Sequence, residues 1–178
     1  MNIQDLSVSQ LVELQTSVRS TLKHKHKWYS TVRPSWDEYF SQMVLVVAQR
    51  ANCCRRQVGA VLVDKDNNTL ATGYNGKAAG LTNCLDCPCS AGESTSGNEL
   101  RGCEAIHAEV NALIRCADVR QIHTAYVSCS PCIECVNVLL GTGCVRIVFT
   151  EKYKDHQESS RRWLASNRQW VHLTPDPV

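Results

Sequence analysis

The sequence predicts an α/β domain with a central sheet of about five strands and helices on both of its faces. Three observations carry that prediction. Apolar residues recur at helical spacing in some segments and in short β-branched runs in others. The order is one helix, two strands, then helix and strand in alternation, which stacks helices against a sheet. Gly, Pro and Asn fall between most of the segments, where turns belong.

Taken in order, Leu6, Leu11, Leu14, Val18 and Leu22 suggest a modest amphipathic helix, followed by Lys23-His24-Lys25-His26-Lys27. That basic run reads as a solvated face before it reads as a phosphate contact. Pro34-Ser35-Trp36-Asp37-Glu38 is a helix start in which Ser35 and Glu38 form a capping box. Trp36, Tyr39, Phe40, Met43, Val44, Val47 and Ala48 give the helix one apolar face, and it is expected to reach about Asn52. Val58 to Asp64 and Thr69 to Tyr74 read as strands joined at Asp66-Asn67-Asn68. Residues 76–103 form a long Gly/Cys/Ser-rich segment, which in a compact domain is functional or stapled by metal. Ala105 to Cys116 is helical, with Ile106, Val110, Leu113 and Ile114 toward the core. His123 to Ser128 is a strand, and Pro131 to Leu140 is a helix that opens on proline and ends at Gly141 and Gly143. Cys144 to Thr150 is a strand, Glu158 to Asn167 a helix and Trp170 to Leu173 a short strand, before Pro175 and Pro177.

The chain's 178 residues suit one domain with a proper core. A net charge of +2 gives no broad basic surface, so a long nucleic acid is not an expected partner. The longest apolar run, Met43 to Ala48, is too short to span a membrane, and Met1 to Gln10 lacks the pattern of a secretion signal. Eleven cysteines without such a signal favour metal binding in a reducing, cytoplasmic setting over a disulfide framework.

The chemistry concentrates in two stretches, His107-Ala108-Glu109 and Pro131-Cys132-Ile133-Glu134-Cys135, each at the start of a helix. His107, Cys132 and Cys135 offer one imidazole and two thiolates, three of the four ligands of a tetrahedral zinc, with the fourth position left for water. The partly positive helix end favours thiolate over thiol. Glu109, two residues past the histidine, can carry protons beside the metal without ligating it. The histidine or the Cys-x-x-Cys alone is weak; the pair, separated by a strand and each opening a helix, is specific.

The H-x-E and P-C-x-x-C pattern resembles the cytidine deaminase superfamily, to which the zinc deaminases of nucleobases belong. Arg55-Arg56-Gln57-Val58-Gly59-Ala60, Gly73-Tyr74-Asn75-Gly76 and the Cys-rich insert extend the resemblance, toward its deoxycytidylate (dCMP) branch, from about Trp36 to Leu173. It implies a three-layer, mixed, cytidine-deaminase-like sheet, an N-terminal extension over 1–33 and a deaminase domain over 34–178. It implies hydrolysis of dCMP to dUMP and ammonia, which supplies dUMP for thymidylate synthesis. Glu109 would be the catalytic carboxylate. Asn75, Ala60, Ala108 and Tyr153 would bind substrate. The resemblance also implies a second, structural zinc, for which Cys53, Cys84, Cys89 and Cys103 match best by spacing, with Cys87 as a substitute. Members of this type are commonly homohexamers activated by dCTP and inhibited by dTTP, with Mg2+ on the triphosphate. That extends an effector or phosphate role to Arg55, Arg56, Gly73, Tyr74, Gly76 and Arg115, with Lys152 a further cation for the substrate phosphate.

Competing readings remain at this level. Deaminases of other cytosine nucleosides or nucleotides share the chemistry. A polynucleotide deaminase would want an aromatic, basic groove, and aromatics are only 6% here. A non-catalytic zinc module would have no use for Glu109.

Overall fold

A computed structural model describes residues 7, 10, 33–89, 102–154 and 156–174. The chain divides into two compact units, Met1–Pro34 and Ser35–Val178. In the first, Ser7 N–H donates to Gln10 Oε1 at 2.9 Å. Leu6, Leu11, Leu14, Val18 and Leu22, on which an amphipathic helix is expected, and the basic run that follows lie outside the described residues, as do Pro175 and Pro177. Everything below concerns the second unit.

Its elements are α1 (Trp36–Ala48), β1 (Gly59–Val63), β2 (Thr69–Tyr74), α2 (Ala108–Arg115), β3 (Thr124–Cys129), α3 (Ile133–Leu140), β4 (Arg146–Glu151), α4 (His156–Leu164) and β5 (Gln169–His172). The strands form one mixed sheet ordered β2-β1-β3-β4-β5. β1 is antiparallel to both β2 and β3; β4 runs parallel to β3 and to β5. The alternation of side chains along each strand sorts the core into two layers. Ala60, Leu62, Ala125, Val127, Ile147 and Phe149 face Ala108, Ala112, Val136, Leu139 and Trp163 of α2, α3 and α4. Val61, Val63, Tyr126 and Val148 face Phe40 and Val44 of α1. The three-layer α/β architecture expected from the sequence is thus observed.

Local chemistry explains most of the boundaries. Ser35 caps α1 in a full capping box: its side chain accepts from the Glu38 N–H at 3.2 Å while its own N–H donates to the Glu38 carboxylate at 2.6 Å. Behind the cap, Asp37 takes a bidentate pair from Arg146 at 2.6 Å and a bond from the Tyr126 hydroxyl at 2.8 Å, tying α1 to the sheet. The helix stops at Ala48 rather than Asn52, because the amides of Gln49, Arg50 and Ala51 turn back to carbonyls three residues earlier. Between β1 and β2, Asn67 adopts φ 64°, and the Asp64 carboxylate accepts the amides of Asp66 and Asn68.

Two further expectations are corrected. α2 begins at Ala108, not Ala105, because Ile106 is held extended in an isolated antiparallel bridge with Gly76. The buried face of α2 is Ala108, Glu109 and Ala112, with Leu113 packed against the core as expected, whereas Ile114 is 69% exposed. The same bridge draws together the base of the Cys-rich segment. There Lys77 pairs with Glu104 at 2.9 Å and donates to the Cys87 carbonyl at 3.2 Å.

Candidate active site

Two helix starts converge on one point. His107 is the N-cap of α2 and Cys132 the N-cap of α3; both have extended backbones, and neither side chain caps its own helix. They meet each other instead. His107 Nδ1 lies 3.3 Å from Cys132 Sγ and 3.3 Å from Cys135 Sγ. Cys135 comes one turn after Cys132 and so shares its side of α3, buried beneath it. These donor atoms lie within 4.8 Å of one another, the one such group of His, Cys, Asp or Glu among the described residues.

The three groups are within hydrogen-bonding reach of one another and shift one another's proton affinities. The Cys135 hydrogen bond draws the Cys132 thiol down to about 5. Its counterpart is pushed up by that bond and by burial. The Cys132 sulfur lifts His107 to about 9. Protons shared in this way are what a divalent ion displaces on binding. Two sulfurs and one imidazole suit zinc, and leave one vertex of a tetrahedron to another ligand.

Glu109 is buried, in the first turn of α2, and burial pushes its carboxyl above the usual carboxylate range. Neighbouring His107 and a hydrogen bond with Cys135 act the other way. It stands beside the donor group without being part of it.

All of these residues except Cys135 line a cavity of about 330 Å³. Of the residues expected to bind substrate, Asn75, Ala108 and Tyr153 line it too. Ala60 does not: it sits in the core, paired on both sides, and Val58 occupies the cavity wall two residues earlier. Asn75 shapes that wall. Its side-chain oxygen accepts the Val58 N–H at 2.8 Å and its nitrogen donates to the Arg56 carbonyl at 2.8 Å.

The cations separate. Arg55 and Arg56 line the cavity, and so does Lys154, which sequence reasoning passed over for Lys152 two residues earlier. Cys129 and Ser130 were also missed. Nothing in their local pattern marks them, because it is the parallel pairing of β3 with β4 that brings them beside the Tyr153 segment. Arg115 lies elsewhere, bonded to the Asn111 carbonyl at 2.8 Å and stacked 5.8 Å from the Tyr74 ring. Gly73 and Gly76 serve close approach. A Cβ on Gly73 would meet the backbone of Ala108 and Ala112, and one on Gly76 would meet the Asn52 side chain.

Cys84 and Cys89 are buried together with Cys103 packed on them. Burial raises the Cys103 thiol, which also feels Cys89 and Cys53. The four expected cysteines are therefore neighbours, although their sulfurs do not close to the separation of the His107 group. Cys87 is exposed.

Fold and donor set together define the class: an α/β zinc-binding domain with a carboxylate beside the metal ligands. The family model for the "Cytidine and deoxycytidylate deaminase zinc-binding region" matches residues 34–151, and the chain belongs to that family. It is 39% identical to the deoxycytidylate deaminase of Saccharomyces cerevisiae over 133 residues, 72% of this chain and 41% of the relative. It is 40% identical to the deoxycytidylate deaminase of Mycobacterium phage D29 over 126 residues, 67% of this chain and 98% of the relative. The chain thus spans about two fifths of the yeast protein's length but nearly all of the phage protein's. Among solved structures it resembles the dCMP deaminase from cyanophage S-TIM5 in complex with dCMP and dUMP, with a TM-score of 0.63 and 25% identity, covering 80% of this chain and 99% of that one. No helix among the described residues is long and apolar enough to cross a membrane.

Proposed function

We propose that the chain catalyses the hydrolytic deamination of dCMP to dUMP and ammonia. The observation that carries this reading is one cavity lined both by His107, Cys132 and Glu109 and by Arg55, Arg56 and Lys154. The first group suits hydrolysis of an amidine carbon–nitrogen bond; the second suits an anionic substrate. The names of the similar proteins support the same substrate.

His107, Cys132 and Cys135 would hold the zinc, which supplies Lewis acidity that makes water acidic near neutral pH. Glu109 accepts the two protons of the attacking water in turn, and passes one to the ring nitrogen and the other to the departing ammonia. Its raised proton affinity suits that shuttle. Oxygen joins C4 of the cytosine ring, the C4–N4 bond breaks, and the proton count closes on dUMP and ammonia. Asn75 fixes the wall against which sugar and base lie, Ala108 gives that wall a small surface, and Tyr153 offers its ring.

The finer points rest on resemblance: a homohexamer in the cytoplasm that feeds thymidylate synthesis, with dCTP activating and dTTP inhibiting as Mg2+ complexes. For the effector, Arg115 stacked on Tyr74 beside Gly73 is a cation outside the cavity. A second zinc would staple Cys53, Cys84, Cys89 and Cys103, since a closed thiolate site orders a long loop.

The test is to incubate the zinc-loaded protein with dCMP, cytidine, dCTP and a cytosine-containing oligonucleotide and to follow loss of cytosine absorbance. Turnover of dCMP above the others is expected. Turnover of none, with zinc bound, would make this a zinc-binding module rather than an enzyme.

A further inference from the structure

Arg56 is held in a way that catalysis by His107 and Glu109 does not require. Its Nη1 donates to Cys129 Sγ at 2.9 Å, and its guanidinium carbon lies 5.6 Å from the centroid of the Tyr153 ring. All three residues line the cavity. Cys129 is the last residue of β3 and is 4% exposed, so its sulfur is fixed by the sheet. Tyr153 is fixed by its N–H, which donates to Ser130 Oγ at 2.8 Å, while Ser130 N–H donates to the Glu151 carbonyl at 2.8 Å. The next residue in the chain, Lys154, brings a second cation to the same wall. A long side chain that water would leave free to turn is thus set from two directions.

The choice of partners matters. A carboxylate at position 129 would pair with the guanidinium and cancel its charge. A thiol is a weak acceptor, and burial holds it neutral. An aromatic face attracts the cation through its quadrupole without neutralising it. Sulfur and ring therefore orient Arg56 and leave its full charge for an anion that enters the cavity. Most of the guanidinium's five N–H donors remain for a phosphate, which accepts such a fork bidentately.

We propose that Cys129 is a positioning residue that, with Tyr153, pre-sets Arg56 to grip the 5′-phosphate of the nucleotide, and so sets the preference for nucleoside monophosphate over nucleoside. This deepens the dCMP reading and rests on it. Failure of the two is distinguishable, because the wild-type protein tests the reading and the variants test the positioning.

The experiment measures kcat and KM for dCMP, and kcat/KM for deoxycytidine, in the zinc-loaded wild-type protein and in Arg56→Ala, Cys129→Ala, Cys129→Ser and the Arg56→Ala/Cys129→Ala double variant. Arg56→Ala should raise KM for dCMP about tenfold to a hundredfold, the size of a lost charged hydrogen bond. Cys129→Ala should raise it about threefold to tenfold, the cost of ordering a rotamer-rich arginine that is no longer held. Cys129→Ser, which keeps an acceptor, should recover most of that loss. In the double variant the Cys129 substitution should add nothing, because its whole effect passes through Arg56. The proposal is overturned if Cys129→Ala lowers kcat/KM for dCMP and deoxycytidine equally, if its effect adds to that of Arg56→Ala, or if KM for dCMP does not change. No turnover of dCMP by the wild type would instead overturn the reading on which the proposal rests.

Discussion

Replacing Gly73 with alanine tests whether the contact between β2 and α2 sets the active site. A Cβ there would lie 2.9 Å from Ala112 Cα and nearer still to the Ala108 oxygen and the Ala112 nitrogen. These are backbone atoms, which cannot rotate aside. To restore ordinary contact α2 must lift by on the order of 1 Å, and overpacking of this kind costs about 2 kcal/mol. For a chain of this length that lowers Tm by about 4–8 °C. α2 also carries Glu109 in its first turn and His107 at its cap. Misplacement of a reacting group on that scale costs on the order of a hundredfold in rate. Thermal melting by circular dichroism and steady-state turnover of dCMP, on one preparation with measured zinc content, read both effects. Gly80 is the control: a Cβ there meets nothing, and φ is +90°. Gly80→Ala should therefore cost stability through strain while kcat stays put. If Gly73→Ala melts within about 1 °C of the wild type, a small fraction of the shift expected, and turns over normally, the close strand–helix contact does not position Glu109.

The remaining perturbations separate metal binding, catalysis and stability. Glu109→Gln should keep zinc by elemental analysis and lose turnover by about 10²–10⁴-fold, the range of a general acid–base group; normal turnover would remove it from the mechanism. If Cys84 holds a second structural metal, the wild type should carry two zincs per chain and Cys84→Ser one, with earlier proteolysis of the 76–103 segment; a single zinc that survives the substitution would end that idea. Asp37→Asn should lower stability by about 1–3 kcal/mol, because it removes the charge and one of the two oxygens that accept from Arg146 and Tyr126, and turns an NH2 donor toward those half-buried donors. Arg146, chiefly, holds the Asp37 carboxyl below its ordinary value of 3.8. Its contribution is therefore complete above that pH and is lost as pH falls through the depressed native value. Acid titration of unfolding should show the wild type losing its advantage over Asp37→Asn only below about pH 4; a constant difference down to pH 2 contradicts the pairing.

The capping box at Ser35 and Glu38 was legible because it is local: four residues suffice to satisfy a helix end. The strand pairs around Asp66-Asn67-Asn68 were legible for the same reason, as was the Cys132/Cys135 half of the metal site, which the pitch of α3 dictates. The start of α2 was not legible, because the bridge that holds Ile106 extended comes from Gly76, thirty positions away. A helical pattern read along the chain could not know that those amides were already taken.

The order of its residues determined that this chain is an α/β domain, that His107, Glu109, Cys132 and Cys135 belong to one chemistry, and that anionic substrates need only a few cations. Periodicity, caps and ligand spacing act over a turn or two of chain, and sequence records them directly. Which cations line the cavity was decided only in three dimensions. Pairing of β3 with β4 sets Cys129 and Ser130 against the segment that carries Tyr153 and Lys154, and burial holds the Cys129 thiol neutral beside Arg56. Those relations depend on register between strands twenty or more residues apart, and on the water excluded when they close.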